Sequence, residues 1–413
     1  MICKQIKIKS YRNIKDASIE FSDGVNVIKG FNAQGKTNLL EAISLISTGR
    51  PFRRATDSEL IMHGEAQAEV ELFYKTRSFS SSVRYVIDRV KGKTLYKRKQ
   101  EQKKLSHVFG YFRTVLFCPA HLSIVQDGPA VRRAWIDMFL SQTYFFYLKQ
   151  LQSYGKLLQQ RNALLKEMRS SLQPQDFYRS FDLTERFSES ELALLETLSL
   201  QLADASARIS DLRYKHLCRI SPILDSFYER ITADYPLKER LELRYISNAY
   251  ANGVEVFDTE GYRAVMETPD GVMTSPREAA LREKYLSLYK KYAIKEIRSG
   301  TSGFGCHRDE IEIYLNGMEA RTFASQGQQR TVALAMKLAE GRLAYEMTDD
   351  HPVFLLDDVL SELDEKRKAF VLGELRDCQV IITSCETIDP QVIEISPSVR
   401  VIRAENGSFT VEK

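Results

Sequence analysis

The stretch Gly24-Val25-Asn26-Val27-Ile28-Lys29-Gly30-Phe31-Asn32-Ala33-Gln34-Gly35-Lys36-Thr37-Asn38-Leu39-Leu40 decides how this chain folds. Its first half is an apolar run that reads as a buried strand ending in a glycine. From Asn38 to Ile46 the residues have helical spacing and are strong helix formers. Between the two, Gly30 to Thr37 match G-x-x-x-x-G-K-[ST] in the strand-loop-helix setting which that pattern requires. The glycines let backbone N–H groups turn inward around phosphate oxygens. Lys36 is placed to neutralise the β and γ phosphates, and the Thr37 hydroxyl to ligate Mg2+. The positive N-terminal end of the helix faces the same anion. Gly30, Phe31, Asn32, Ala33, Gln34, Gly35, Lys36 and Thr37 are therefore expected to hold a nucleoside triphosphate, read as ATP with Mg2+.

A second chemistry-bearing stretch is Pro352-Val353-Phe354-Leu355-Leu356-Asp357-Asp358. Four apolar residues make a buried strand, and two carboxylates sit at its C-terminal edge, where open α/β sheets place ligands. Asp357 is expected to hold the Mg2+, usually through water. Asp358 is expected to face the attacking water as its base. Lys36, Asp357 and Asp358 form the expected catalytic set. A third stretch, Ser325-Gln326-Gly327-Gln328-Gln329-Arg330, opens an Ala/Leu-rich helix. It reads either as a second anion-binding helix N-terminus or as a well-capped core helix.

Around these stretches the 413 residues have an ordinary globular composition, 43% hydrophobic and 28% charged, without low-complexity segments. The N-terminal residues 1 to 9 alternate like an edge strand and lack the continuous apolar core of a signal peptide. No apolar run approaches the roughly 20 residues that span a bilayer, so the chain reads as cytosolic and away from membranes. Six scattered cysteines show no C-x-x-C pair and read as reduced thiols, mostly buried. Net charge is only +4, but 11 Lys or Arg face 2 acids between Lys75 and Lys104, with Tyr85 and Tyr96 interleaved. That block reads as a solvated hairpin or as a surface for a phosphate backbone.

The middle of the chain changes character. Tyr147, Leu151, Tyr154, Leu158, Leu165 and Met168 keep one heptad frame, interrupted only by Arg161. Leu195, Leu198, Leu202, Ala205, Ile209 and Leu212 keep a second. With the loop-like Ser170 to Phe181 between them, the frames suggest an antiparallel helical hairpin or two amphipathic helices laid on a core. The expected organisation is an ATPase core in two pieces, residues 1–120 and 291–413, around a helical insertion over 121–290.

The order of phosphate loop, long insertion, signature turn and acidic strand resembles an ABC-type ATPase head. Ser361-Glu362-Leu363-Asp364 looks like a D-loop, and Gln379 to Ser384 like the last sheet strand and the switch that senses the γ-phosphate. Further words carry a closer resemblance: Tyr11-Arg12-Asn13, Gly49-Arg50-Pro51-Phe52-Arg53, Gly128-Pro129-Ala130-Val131-Arg132-Arg133 and Gly305-Cys306-His307-Arg308-Asp309. Together they are similar to the RecF family of bacterial recombination-mediator ATPases, strongly at both ends of the chain and loosely in the middle. The fold so implied is α/β, an ABC-type P-loop ATPase head with a mixed β-sheet and an inserted, mainly α-helical arm. The chain departs from the family in two places. Cys306 and Glu310 replace the Pro and final Asp of Gly-Pro-His-Arg-Asp-Asp, and Cys118-Pro119-Ala120-His121 replaces Ser-Pro-Glu-Asp. The second change removes acids near the core–arm junction, where Gln126 is a remaining candidate for signalling nucleotide state.

The resemblance implies an ATP-dependent homodimer with ATP sandwiched between two copies. One copy supplies the phosphate loop and Asp357, the other Ser325, Gly327 and Gln328 from its signature turn. Arg12 would lie beside the adenine or ribose. The dimer would close on DNA (single-stranded, duplex or gapped) and release it on hydrolysis. RecR, RecO and RecA are the implied pathway partners, in gap repair, replication maintenance and SOS induction within a bacterial, nucleoid-associated setting. DNA contact is expected from Arg50, Arg53, Arg54, Lys97, Arg98 and Lys99, mainly to phosphates. Asp358 stands where most ABC-type ATPases place Glu, so hydrolysis is expected to be slow, a timer for a clamp. Two rivals are an ATP-gated scaffold that binds only proteins, and an ABC-type nuclease. The nuclease needs a further acidic domain, and only about 50 residues follow Asp364.

Overall fold

The computed structural model describes residues 1–53, 55–102, 109–179, 181–233, 238–250, 254–256, 275–385 and 399–412. It opens with an antiparallel pair, β1 (Ile2–Tyr11) and β2 (Ile14–Glu20), followed by β3 (Val25–Lys29) and α1 (Lys36–Thr48). Then come β4 (Gln67–Lys75), β5 (Ser80–Asp88), β6 (Gly92–Lys97) and β7 (Gln100–Gln102). These four extend the first pair into one antiparallel sheet ordered β2-β1-β4-β5-β6-β7. The alternation in β1 predicts an edge strand, but β1 is paired on both sides, with Ile6 opposite both Ile19 and Leu72. Alternation reports one buried face and carries no information about backbone partners.

The chain continues through β8 (Thr114–Phe117), α2 (Pro129–Thr143), α3 (Phe145–Ser170), α4 (Glu189–Ile231), β9 (Leu241–Ile246), β10 (Val254–Val256) and α5 (Pro276–Ser299). After them come β11 (Glu310–Leu315), β12 (Met318–Glu319), α6 (Gln326–Thr348), β13 (Val353–Asp357), α7 (Glu365–Glu374), β14 (Val380–Ser384), β15 (Val399–Glu405) and β16 (Ser408–Glu412). A mixed central sheet is ordered β16-β15-β3-β14-β13-β8, parallel except for β16. Its strands β8, β13 and β14 read as near-continuous apolar runs because both faces are covered, whereas β15 and β16 carry charged and polar residues. Ile28, Leu355 and Ile381 pack with α1 and the antiparallel sheet. Val27, Leu356 and Ile382 pack on the other side, with residues of α6 and the helical region.

Both heptad frames lie on buried helix faces: α3 and α4 pack together, and α5 joins them as a third helix. The residue that interrupts the first frame, Arg161, is 1% exposed. Its guanidinium donates to Glu296 Oε2 at 2.6 Å, Ser302 Oγ at 2.8 Å and Ser199 Oγ at 3.0 Å, tying all three helices together. A core position thus carries a charge whose partners come from two other segments. Arg161→Ala is expected to destabilise the arm by about 3–5 kcal/mol, because Glu296 is left buried and unpaired. Replacing Arg161 and Glu296 together by Met and Leu is expected to cost far less. Urea unfolding midpoints of the two variants check this.

At the core–arm junction Arg132 forks onto both oxygens of Glu310, at 2.9 and 3.1 Å. The Glu that departs from the family pattern therefore still receives an arginine. His121 Nδ1 accepts the Cys118 N–H at 3.1 Å, and burial drives its imidazole well below the ordinary value. Burial likewise lowers His216 to about 3 and His307 to about 4. Each of these histidines gains a proton more easily unfolded, so stability should fall as pH drops below about 6.5, the ordinary histidine value, by up to about 1.4 kcal/mol per pH unit per group. Urea midpoints at pH 7.5 and 5.5 measure this. No helix among the described residues is long and apolar enough to cross a membrane.

Candidate nucleotide-binding site

The two strands that carry the chemistry are not neighbours. β14 lies between β3 and β13, parallel to both, and its register sets Thr383 opposite Asp357 on one side and Ile28 on the other. The carboxyl ends of all three strands therefore gather at one sheet edge, the usual ligand edge of such sheets. Thr37 Oγ1 and Thr383 Oγ1 each donate to Asp357 Oδ1 at 2.9 Å. Burial raises the Asp357 carboxyl above its ordinary value, opposed by these two hydrogen bonds and reinforced by Asp358. The Thr37 hydroxyl and Asp357 carboxylate are hard oxygen donors within reach of one ion. Among the described residues no group of three or more His, Cys, Asp or Glu gathers to hold a metal. A donor set of one hydroxyl and one carboxylate fits Mg2+, which keeps waters and phosphate oxygens in its remaining positions.

Lys36 Nζ donates to the carbonyls of Gly30 at 2.5 Å and Phe31 at 3.0 Å, and lies 3.1 Å from Cys385 Sγ. The loop is braced from behind. Asn13 Nδ2 donates to the Ala33 carbonyl at 3.2 Å, and the N–H of Gly407 donates to the Gln34 carbonyl at 3.0 Å. A side chain at Gly30 would run into the Ala404 carbonyl, and Gly35 sits at φ 104°. Only glycine meets both demands. Asp358 is in the left-handed region at φ 54°. Its N–H donates to Thr383 Oγ1 at 3.0 Å and its carbonyl accepts from Ser361 Oγ at 2.8 Å. Asp358 lines one cleft of about 400 Å3 with Asn32 to Asn38, Asn13 and Arg53.

Glu41, fully buried one turn beyond Thr37, collects Arg12 and Arg53. Arg12 Nε donates to it at 2.9 Å and an Arg53 terminal nitrogen at 2.8 Å. Burial works against the Glu41 charge, but the two guanidiniums outweigh it and hold its carboxyl below the usual carboxylate range. Arg12, itself at φ 54°, lines an adjoining cleft of about 550 Å3 that shares Asn13, Asn38 and Arg53 with the first. Arg53, expected at a DNA surface, lines the cleft beside the phosphate loop with its side chain still 41% exposed. Arg50 is exposed, and Arg54 lies outside the described residues. Lys97, Arg98 and Lys99 sit at the β6–β7 turn, with Arg98 and Lys99 both at positive φ. Lys97 Nζ is 2.9 Å from the Tyr111 ring centre, and Arg98 lies 5.8 Å from that of Phe79. Tyr85, read as part of a binding surface, is 1% exposed and belongs to the core.

Ser325, Gly327 and Gln328 do not line the cleft around the loop. Ser325 caps α6: its Oγ accepts the Gln328 N–H at 3.3 Å, and Gln328 Oε1 accepts the Ser325 N–H at 2.7 Å. Behind them Gln126 Nε2 donates to Gln329 Oε1 at 2.8 Å, which links the 118–126 turn to the signature helix. Cys385 and Glu41 are the site residues that the sequence motifs leave out, whereas Asn13 falls in Tyr11-Arg12-Asn13 and Thr383 in the Gln379 to Ser384 stretch. For Thr383 and Cys385 a signal existed in the apolar Val380 to Ile382 run, which ends at the same sheet edge. Glu41 looks like any helix glutamate until its burial is seen.

Cys385 is the exposed one of the six cysteines, and its Sγ lies 2.8 Å from Asn32 Oδ1. One thiol per native chain should therefore react rapidly with iodoacetamide, and ATP with Mg2+ should slow that reaction by about tenfold or more through occlusion. Mass spectrometry of labelled peptides reads both the site and the rate.

The family model described as RecF/RecN/SMC N terminal domain matches residues 2–409. A protein of Exiguobacterium sp. named "DNA replication and repair protein RecF" is 34% identical over 413 residues, with all of both chains covered. One of the same name from Bacillus cereus is 32% identical over 412 residues, covering 100% of this chain and 99% of that protein. A solved structure described as the recombination mediator protein RecF-ATP in the RecFOR pathway superposes with a TM-score of 0.83 at 30% identity, covering 100% of this chain and 97% of that one. The Smc head domain of Pyrococcus furiosus shares the fold at a TM-score of 0.52 and 14% identity, over 99% of this chain and 95% of that one. The motif-bearing ends and the loosely matching middle alike are covered by relatives of one kind, and the chain belongs to the RecF family.

Proposed function

We propose that this chain is an ATP-binding protein of DNA replication and repair that works as a nucleotide-gated clamp on DNA. The observation that carries the reading is the convergence of Lys36, Thr37, Asp357 and Asp358 on one sheet edge, in a chain similar from end to end to proteins of that name. Backbone N–H groups of Gly30 to Thr37 would cradle the phosphates, with Lys36 as the fixed cation. Mg2+, when bound through Thr37 and Asp357, would neutralise charge on the β and γ phosphates. Asp358 would orient and deprotonate water, and Arg12 would flank the base or ribose. Ser325, Gly327 and Gln328 would act on the nucleotide of a second copy, since they do not line the cleft of their own chain. Nucleotide binding would thereby drive dimerisation, and slow hydrolysis would end it.

DNA would be held through phosphates by Arg50, Arg53 and the Lys97-Arg98-Lys99 turn. RecR and RecO would be partners in loading RecA at gaps, with SOS induction downstream and a place on the nucleoid. One observation favours the scaffold reading, in which partners are only proteins: three cations of the 75–104 block are already held in ion pairs. Arg84 pairs with Glu69, Lys93 with Asp57 and Arg77 with Asp349. Sedimentation with and without ATP and gapped DNA, with Lys36→Arg as control, tests the clamp. Binding to gapped DNA should weaken as salt rises, and charge reversal at Lys97, Arg98 and Lys99 should weaken it further. Unchanged duplex binding by the reversed variant would remove that surface from the proposal, and no DNA binding at low salt would leave the scaffold.

A further inference from the structure

Three large apolar side chains stand in solvent beside the two separated halves of the site. Phe31, inside the phosphate loop, is 81% exposed. Phe323, two residues before the signature Ser325, is 65% exposed, and Met318 on the neighbouring hairpin is 53% exposed. The Phe323 segment is held firmly. Buried Gln329 donates its Nε2 to the carbonyls of Ala320, Arg321 and Ala324, at 3.2 to 3.4 Å, and so fastens the short helix that carries Phe323 to α6. Met318 follows a two-residue turn, Asn316-Gly317, with both residues at positive φ, the geometry that fixes a tight hairpin. Exposed aromatics presented on a rigid backbone lose little freedom on association and so serve as interface anchors.

We infer that Phe31 of one chain seats against Met318 and Phe323 of a second copy of this chain, beside each sandwiched nucleotide. This rests on the two-copy reading proposed above and adds to it the contact that covers the loop from the side. The signature turn does not line the loop's cleft within one chain, and in the two-copy reading the second copy completes the site. A twofold arrangement that brings Ser325 over the partner loop carries Phe323 and Met318 with it. The contact then occurs twice per dimer, as an isologous interface requires. Nucleotide-driven closure would bury all three side chains, which explains how a protein can keep them in water at rest.

Sedimentation equilibrium with ATP and Mg2+ on the full chain, with ATP affinity measured in parallel, tests the contact. Phe323→Ser and Met318→Ser are expected to weaken the ATP-induced dimer by about tenfold or more each, with monomer ATP affinity unchanged. Val90→Ser, which alters a side chain 93% exposed on the β5–β6 turn, should have no effect. Phe31→Ser combined with Phe323→Ser should cost less than the sum of the single changes, the signature of two groups that touch. Variants that dimerise like the parent, or strictly additive losses, overturn the contact while leaving the two-copy reading intact. A parent chain that binds ATP yet stays monomeric overturns both.

Discussion

Asp358→Asn should lower ATP turnover by about 10²–10⁴-fold, the usual contribution of a positioned general base, with ATP still bound. Asn keeps the size of the side chain and removes the basic oxygen. It also suits the backbone, because Asp and Asn enter the left-handed region more readily than other residues with a side chain. Asp358 sits there at φ 54° with its N–H held by Thr383 and its carbonyl by Ser361. The same geometry bears on why an Asp stands where related ATPases use Glu. Asp358→Glu would extend the reach of the carboxylate by one methylene and strain the backbone by about 1 kcal/mol. Turnover is expected to rise while the unfolding midpoint falls. If turnover does not change, side-chain reach does not limit it, and the backbone alone accounts for the Asp. Steady-state phosphate release and urea unfolding on the same preparations separate the two effects.

Lys36→Ala should reduce ATP affinity by about 10²–10³-fold, corresponding to loss of one or two hydrogen bonds to charged phosphate oxygens. The effect should exceed that of Lys36→Arg, which retains the charge. The structure adds a second reason for the loss: Lys36 Nζ also bonds the Gly30 and Phe31 carbonyls, so it shapes the loop that it serves. Thermal denaturation should separate the roles. A Lys36→Ala chain should melt close to the parent without nucleotide and fail to gain stability when ATP and Mg2+ are added, since stabilisation by a ligand follows its occupancy. Isothermal titration gives the affinity directly. An unaltered affinity would remove the phosphate loop from the proposed site.

β3 and its loop are legible because most local preferences there agree: an apolar run, glycines at Gly30 and Gly35 without alternatives, and helix formers after them, with only Ala33 held against its preference at φ 65°. The acidic strand was legible for the same reason, and both heptad frames correctly marked buried helix faces. The frame also flagged Arg161 as an exception, though not its partners, which come from Ser199, Glu296 and Ser302. What the sequence does not show is which elements become neighbours. The alternation of β1 suggests an edge strand because one buried face looks the same with one partner or two, and β1 has two. Tyr85 was counted with the basic surface because the side of the sheet it faces is a matter of register.

By itself the sequence determined the phosphate loop, the acidic strand and the order of segments, since each depends on residues close together along the chain. Only the tertiary structure decided that β14 lies between them, bringing Thr383 onto Asp357 and Cys385 beside Lys36. It also gathered Arg12 and Arg53 onto Glu41 and set Ser325 away from the loop of its own chain. Motif spacing records what a segment can bind. Which segments meet is settled by strand order and by the burial of charges that must find partners, and neither is written at any single position.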